Sequence, residues 1–475
     1  MAIWYVDPTA SATSDAYDGS FGVGKLRLSW GAVTWTSNDA YYQRRGTTVT
    51  LTANLTPGGN SVTIGAYGDG DRPIILSPGA TPVFYGMYFS AGSNVTVSDL
   101  HFVMTNRGVG YAGMRIGGTT NFTLRNCVIE GFDVGIFVTA SAINTTIDGN
   151  EVFDCGDDGL VVGATNAGRI TNNRIYGTSR RVTTGDCIQF LDAVDWGAWR
   201  VDSNTLTIDV ALKQCVMIGV PASATQVPVV VEQNECTTTC NGIQARHSAV
   251  IRANTIEITG VNAALIANAG LSNQPILFSG NVVRCIGASR ASDQGAGIVA
   301  MAVYADAGAG IAHLVSFVNN TVAGDAYRGF FAGADIDSGT ITLRNNLLWQ
   351  TFGNPSVGFS VNAGAAATFV ESNTAIYGFT SPAVNLTLSS PDTSDPSPYL
   401  NAGYSLRAIN PGDNPLSNMG TYVQGTTLRN GRARPGWTPV GAHMGVVPRA
   451  TATTRTTATT RATATSRAER NGQDS

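Results

Sequence analysis

Short apolar segments alternate with polar turns over most of this chain, and the turns repeat one motif. In "GNEVFDC", "NNRIYGT" and "GNVVRCI" an Asn is followed by one residue and then by an apolar residue. The Asn residues are Asn126, Asn150, Asn173, Asn204, Asn234, Asn254, Asn281, Asn320, Asn346 and Asn373. Their separations, about 20 to 40 residues, are typical of solenoid repeats. Each repeat therefore predicts a strand, a turn with Asn, a second strand and a variable loop.

One such repeat cannot bury its apolar side alone, whereas stacked repeats can. Stacked coils would place equivalent residues about 4.8 Å apart, so we expect the Asn side chains to form a hydrogen-bonded ladder. The uneven loop lengths favour an all-β, single-stranded, right-handed parallel β-helix with protruding loops. A β-propeller would need longer, four-stranded repeats.

A second strand pattern recurs as "VGIFV", "DGLVV", "DCIQF", "QCVMI" and "NGIQA". Aligning these strands predicts one inward row, Ile136, Leu160, Ile188, Val216 and Ile243. Three positions earlier, an outward row contains Asp133, Asp157, Gly185, Lys213 and Cys240. Two positions earlier, the row is Val134, Asp158, Asp186, Gln214 and Asn241. One position later, alternation predicts the outward row Phe137, Val161, Gln189, Met217 and Gln244.

Composition supports this interpretation and excludes several classes of protein. The 475 residues include 55 Gly and only 13% charged residues, which favours strands and turns over helices. A net charge of −4 predicts no nucleic-acid partner, and no apolar run is long enough for membrane insertion. The odd number of cysteines, seven, argues against a disulfide framework and for small buried residues. The strand-like "IWYV" after Met1 predicts no signal peptide.

The stretch "FDCGDDGLVVG" places Asp154, Asp157 and Asp158 directly before an apolar strand. Crowded carboxylates are costly to desolvate unless a cation, a basic side chain or solvent compensates. The alignment makes Asp133 a neighbour of Asp157, and Asp158 a neighbour of Asp186. Lys213 would stand two coils from Asp157, with Arg246 and His247 one coil later. The stretch is therefore a candidate site, and a solvated acidic ladder without catalysis is the alternative.

The repeat resembles the pectate-lyase-like β-helix superfamily. The segments "WYVDPTASATSDAYDGSF", "NDAYYQRRGTTVTL" and "VTIGAYGDGDRPII" look like its N-terminal strands, and "PYLNAGYSL" and "PVGAHMG" like its closing coils. The resemblance implies capping strands over 1–80, a β-helix over 81–390 and closing coils over 391–446. The remaining residues, 447–475, form a six-residue repeat headed by Arg449, Arg455, Arg461 and Arg467. Because this tail lacks apolar bulk, we expect a flexible or docking arm.

Two chemistries fit the acidic stretch. In the family-nine polysaccharide lyases, which this pattern resembles, Ca²⁺ assists β-elimination on a uronate. That resemblance implies metal ligands Asp133, Asp154, Asp157 and Asp158, and catalytic residues Lys213 as base with Asp157, Asp158 and Arg246. Val161 replaces the last Asp of the family motif, so Asp154 or Asp186 would have to compensate.

The second chemistry is inverting hydrolysis, as in polygalacturonase-like enzymes, whose Asp pattern Asp133, Asp157 and Asp158 also match. Their Gly-His-Gly and Arg-x-Lys motifs are absent, so elimination ranks first. We expect substrate contacts from Asp186, Gln189, Trp196, Trp199, Gln244 and His247. The two Trp residues could instead pack a loop on the solenoid. His101, His313 and His443 are expected to be structural.

The sequence thus predicts a polysaccharide-binding β-helix, as a phage tailspike or tail-fibre component that recognises and degrades host surface glycan. The alternatives are a secreted bacterial polysaccharide lyase and a non-catalytic structural fibre. The first interpretation implies a virion or extracellular location, a homotrimer and virion partners at the 447–475 tail. The catalytic interpretations imply Ca²⁺ as cofactor.

Overall fold

The protein is described by a computed structural model that covers residues 1–386 except 78–84, 107–110, 140, 164, 182–184, 210–212, 261, 287–296, 305–310, 335, 351–355 and 373. The predicted closing coils over 391–446, the tail over 447–475, Asn373 and His443 lie outside these residues. Within the described part, the secondary structure is β-strand apart from one 3-10 turn, Trp30–Ala32. No helix there has the length and apolarity to cross a bilayer.

The N-terminal strands are β1 (Ile3–Val6), β2 (Ser14–Gly19), β3 (Gly22–Arg27), β4 (Ala40–Arg44) and β5 (Thr48–Thr50). The next coils contain β6 (Thr63–Tyr67), β7 (Ile74–Ser77), β8 (Tyr85–Phe89), β9 (Gly92–Ser98), β10 (His101–Met104), β11 (Ala112–Gly117), β12 (Thr119–Arg125), β13 (Val128–Glu130), β14 (Val134–Thr139), β15 (Thr145–Asp148), β16 (Glu151–Phe153) and β17 (Leu160–Val162). The central coils contain β18 (Gly168–Thr171), β19 (Arg174–Tyr176), β20 (Ile188–Phe190), β21 (Trp199–Asp202), β22 (Thr205–Ile208), β23 (Gln214–Ile218), β24 (Val229–Glu232), β25 (Glu235–Thr238), β26 (Asn241–Ala245), β27 (Ala249–Arg252), β28 (Thr255–Ile258) and β29 (Asn262–Ala267). The last described coils contain β30 (Pro275–Ser279), β31 (Val282–Cys285), β32 (Ile298–Val303), β33 (Ala312–Val318), β34 (Thr321–Gly324), β35 (Arg328–Ala332), β36 (Ser338–Arg344), β37 (Leu347–Gln350), β38 (Val357–Val361), β39 (Thr368–Ser372), β40 (Ala375–Tyr377) and β41 (Ser381–Val384).

These strands form three long sheets that wind around one core. From β6 onward every third strand joins the same sheet: β6 to β39 lie in sheet 1, β7 to β40 in sheet 2 and β8 to β41 in sheet 3. Neighbouring coils pair in parallel, and the described exception is the antiparallel hairpin β2–β3. Aliphatic and aromatic side chains from all three sheets fill the interior. The predicted parallel β-helix is confirmed.

A ladder of buried Asn side chains links the coils between sheets 1 and 2. It runs through Asn150, Asn173, Asn204, Asn234, Asn254, Asn281, Asn320 and Asn346, each Oδ1 accepting the backbone N–H of the Asn one coil earlier at 2.9–3.0 Å. The predicted ladder is thus present, with one correction. Asn126 is exposed and lies one position too early, so the backbone N–H of Cys127 bonds Asn150 instead.

The register of sheet 3 matches the sequence alignment. Leu160 pairs with Ile136 and Ile188, and the row continues through Val216 to Ile243, all buried. One position earlier, a row of small residues faces the core, where a Cβ on Gly159 would come within 2.3 Å of the Ile175 side chain. Cys187 and Cys215 continue that row. All seven cysteines are buried and free, as expected for small apolar residues.

Candidate functional site

The outer face of sheet 3 carries one row of side chains that crosses the coils. This outer row consists of Tyr88, Arg115, Phe137, Val161, Gln189, Met217 and Gln244. Its members alternate with inward residues, as parallel strands require. Gln189 and Gln244 are half-buried, whereas Val161 is almost completely covered. Gln214 donates to Gln244 Oε1 at 2.8 Å, which fixes that amide on the outer row.

The acidic cluster, defined as Asp157, Asp158 and Asp186, lies beside this row. Asp158 and Asp186 are neighbours on successive coils, as aligned, and only 4% and 2% exposed. The backbone N–H of Asp186 donates to Asp158 Oδ1 at 2.6 Å, and that of Gln214 donates to Asp186 Oδ1 at 2.8 Å. One oxygen of each buried carboxyl group is therefore held by the following coil.

Burial changes the protonation of both carboxyl groups. Desolvation raises the pKa of Asp158 well above its usual value, and the charges of Asp157 and Asp186 raise it further. Desolvation also raises the pKa of Asp186 to about 7, against the opposing effects of the Gln214 amide and Lys213. Both carboxyl groups therefore keep a proton to higher pH than an exposed Asp does, and the pKa of Asp186 is about 7. Lys213 is close enough for its charge to favour the ionised form of both.

The other predicted carboxylate ligands face arginines. The backbone of Asp157 donates to the Asp133 carbonyl oxygen at 2.8 Å, so these residues are neighbours as expected. The Asp133 carboxylate, however, forms an ion pair with Arg181, and Asp154 lies 3.9 Å from Arg180. Their negative charge is thus balanced by protein side chains.

The calcium ligands predicted from the sequence do not form one group of side chains. Ca²⁺ takes six to eight oxygen ligands, drawn from carboxylates, carbonyl groups and water. Among the residues that the structure describes, no three His, Cys, Asp or Glu side chains are grouped to hold a metal ion. We therefore assign no catalytic step to calcium, and calcium binding stays a prediction of the sequence.

Three predicted substrate-binding residues are in the interior. Trp196, Trp199 and His247 are all buried. Trp196 Nε1 donates to the Leu191 carbonyl at 3.0 Å, and Trp199 Nε1 to the Trp196 carbonyl at 2.8 Å. Both rings meet the Phe190 ring edge to face, so the loop after β20 packs on the solenoid. The expected surface position of these three residues is corrected, because ring burial stabilises the loop.

Arg246 lies further along its strand than the acidic cluster. It follows β26, and its Nη1 binds Asp192 Oδ2 at 2.7 Å. The structure therefore does not bring Arg246 together with Lys213. His101, which was expected to be structural, has its Nε2 3.2 Å from Glu130 Oε2, a carboxylate distant in sequence. His313 is buried, as a structural residue would be.

Sequence reasoning missed an arginine site on the same outer row. The guanidinium of Arg115 lies 5.1 Å from the Tyr85 ring, 4.9 Å from the Tyr88 ring and 5.9 Å from the Phe137 ring. Extending the strand alignment to "YGMYF" and "AGMRIG" would have revealed it, because those strands place Tyr88 and Arg115 in register with Phe137.

Comparison with known proteins agrees with this fold. The family model "Right handed beta helix region" matches residues 82–207. The catalytic unit of a thermostable GH87 alpha-1,3-glucanase from Streptomyces thermodiastaticus strain HF3-3 superposes with a TM-score of 0.56 at 13% identity, over 79% of this chain and 68% of that chain. No curated protein matches the sequence.

Two further solved structures are similar at lower TM-scores. Pectate lyase Pel9A gives 0.39 at 13% identity, over 94% of this chain and 97% of that chain. The Dettilon tailspike protein gives 0.36 at 12% identity, over 70% of this chain and 62% of that chain. The protein has a right-handed parallel β-helix fold.

Proposed function

We propose that this protein binds a polysaccharide along the outer row of sheet 3 and cleaves it by acid–base catalysis at the acidic cluster. One observation carries the proposal: two buried carboxyl groups with raised pKa lie directly beside the half-buried Asp157. Carboxyl groups whose surroundings separate their protonation states are the usual acid and base of glycosidic cleavage. The fold's relatives act on glycans by name, which supports the same class of substrate.

Hydrolysis is the reaction that this arrangement favours. Asp186 is only 2% exposed and its Oδ1 is held by the Gln214 amide, so its carboxyl group, with a pKa near 7, would use the second oxygen, Oδ2, to donate a proton to the leaving oxygen of the glycosidic bond. Asp157 would accept a proton from the attacking water, so that one water is consumed and both new ends carry hydroxyl groups. The amides of Gln189 and Gln244 would bond sugar hydroxyls.

Elimination is the second candidate, favoured by the position of Lys213. The charge of Lys213 lowers the pKa of both buried carboxyl groups, so Lys213 lies close to Asp186, the predicted acid. In that reaction Lys213 would remove the C5 proton next to a uronate carboxyl group, the glycosidic C4–O bond would break as a C4–C5 double bond forms, and the leaving oxygen would take a proton from the predicted acid. The calcium-assisted form of this reaction remains part of the sequence prediction.

The test is an activity assay on a panel of neutral and acidic polysaccharides with the variant Asp157→Asn. We expect new reducing ends with the native protein and a loss of at least 100-fold with the variant, at an unchanged Tm. Asp69→Asn is the control, because Asp69 is an exposed carboxylate remote from the cluster. Full activity in Asp157→Asn would place the site elsewhere.

Ultraviolet absorbance separates the two reactions in the same samples. Reducing ends without absorbance indicate hydrolysis, whereas absorbance from an unsaturated product indicates elimination. Loss of that absorbance on adding a chelator would support the calcium-assisted form.

We further propose that the β-helix works as a tailspike or tail-fibre component. The support is the Arg-headed repeat after Val447, which the sequence predicts as a docking arm. Light scattering should then show a trimer, and mass spectrometry should detect the chain in purified virions. A monomer found only in culture supernatant would favour the secreted enzyme.

A further inference from the structure

The surroundings of Arg115 distinguish it from the other arginines on the described surface. Its guanidinium is enclosed by the rings of Tyr85, Tyr88 and Phe137, and its Nη1 donates to the Tyr85 hydroxyl. Its Nε is buried without a hydrogen-bond partner. A buried donor left unbonded costs about 1–3 kcal/mol.

Arg115 also lacks a carboxylate partner among the described residues, whereas two arginines on sheet 1 each have one. Arg169 binds Asp202 with two nitrogens at 2.9 Å, and Arg252 binds Glu232 at 2.6 Å. The positive charge of Arg115 therefore remains uncompensated by an ion pair. The planar fork of a guanidinium binds the two oxygens of a carboxylate, or those of a phosphate, through parallel hydrogen bonds.

Aromatic rings complete the site. Tyr111 is 39% exposed, and its ring packs edge to face on Tyr85 at 5.6 Å and lies 6.0 Å from Phe137. An exposed ring beside a cation is suited to a sugar, because the apolar face of the sugar stacks on the ring while its anionic group reaches the cation.

The site lies on the path of the proposed substrate. Arg115 is on β11, and β14 and then β17 follow in sheet 3, so Asp157 and Asp158 lie two coils away. Two coils correspond to about 10 Å along the solenoid axis. Phe137 occupies the outer row between them.

We propose that Arg115, with Tyr111 and Phe137 as stacking surface, is a subsite for an acidic sugar, and that the polysaccharide is a uronate polymer. This inference rests on the proposed function, because that function places the polysaccharide along sheet 3. It adds the class of substrate and the residue that selects it.

The test measures binding rather than cleavage. An Asp157→Asn background, alone and with Arg115→Gln, is titrated calorimetrically with uronic-acid hexamers and with the same hexamers after carboxyl reduction. We expect Arg115→Gln to weaken uronate binding about 10- to 100-fold and to leave binding of the reduced hexamers unchanged, because only a charged ligand uses the guanidinium. Sulfated hexamers test the other anion, and tighter binding of these than of uronates would overturn the carboxylate assignment.

Two further variants test whether Arg115→Gln acts through the lost charge or through lost packing around the rings. Arg115→Lys keeps the charge without the planar fork, so it should bind uronate with intermediate affinity at an unchanged Tm. Arg125→Gln is the matched control, because it removes the same charge from an exposed site on sheet 1. Equal weakening for charged and reduced hexamers, or no weakening in Arg115→Gln, would overturn the subsite.

The results separate this inference from the proposed function. Native protein that cleaves a polymer while Arg115→Gln binds uronate normally would retain the function and exclude the subsite. Arg115-dependent uronate binding without cleavage of any polymer would retain the subsite and exclude the catalytic proposal.

Discussion

At the scale of single residues, the acid–base role of each carboxyl group depends on how deeply it is buried at the turn before a strand of sheet 3. Asp157 is half-buried, whereas the next residue, Asp158, is almost fully enclosed. The Asp158 carboxyl group accepts the backbone N–H of Asp186, and desolvation, with the charges of Asp157 and Asp186, raises the pKa of Asp158. Adjacent residues of the same type thus acquire different roles from burial alone.

The raised pKa of Asp186 predicts that the stability of the protein depends on pH. Its pKa is raised to about 7 in the folded protein, so the folded state holds a proton that the unfolded chain releases near pH 4. The free energy of unfolding should therefore fall as the pH rises from about 4 through 7. A pKa shift of about three units corresponds to a decrease of at most about 4 kcal/mol in the free energy of unfolding.

The variant Asp186→Asn keeps the acceptor for the Gln214 amide but cannot ionise. Urea unfolding at pH 4 to 8 should show a smaller loss of stability than in the native protein, with Asp158 causing the remainder. Asp69→Asn should retain the full slope. An equal slope in all three proteins would mean that Asp186 ionises freely.

At the scale of elements, the coils are joined by side-chain ladders as well as by strand pairing. The Asn ladder satisfies backbone groups at the turn between sheets 1 and 2, where strand hydrogen bonds stop. Asn204, for example, accepts from the Asn173 backbone at 2.9 Å and donates to the Ile170 carbonyl at 3.0 Å. Such buried groups are costly when unpaired.

Replacing one ladder residue should therefore be severe. Asn204→Ala would leave the Asn173 amide and the Ile170 carbonyl without partners, at about 1–3 kcal/mol each. We expect a loss of about 3 kcal/mol in chemical denaturation. Thr205→Ala, at the exposed next position, should change stability by less than about 0.5 kcal/mol. Similar losses in the two variants would show that the ladder adds no stability.

At the scale of the whole molecule, each coil contacts its neighbours and the core continues from one coil to the next. Six of the seven cysteines lie within this core and the seventh, Cys240, is also buried; burial raises the pKa of Cys127 to about 12. They are spread over the β-helix from Cys127 to Cys285, so together they report on its opening.

The native protein should therefore resist thiol reagents. An aromatic disulfide reagent at pH 8 should label no cysteine in the folded state and seven after denaturation. The denatured sample is the control for total thiol. Rapid labelling of one or two cysteines under native conditions would reveal a coil that opens locally.

The repeat and the strand rows were determined by the sequence, because stacking makes every coil repeat the same local pattern. The row from Ile136 to Ile243 and the ladder from Asn150 to Asn346 could be aligned without coordinates. Asn126 was misplaced by one residue, because "RNC" fits the motif while its side chain falls outside the ladder.

Only the tertiary structure decided which polar side chains are exposed and which partners they meet. Arg181 reaches Asp133 from a distant loop, and Trp196 folds inward after β20. Neither contact follows from spacing, since loop paths depend on packing against several coils at once. The same applies to Arg115, whose three rings come from the two strands on either side of its own, β8 and β14. The local sequence pattern determined the path of each coil. Contacts between residues distant in sequence determined which charged and aromatic side chains meet on its surface.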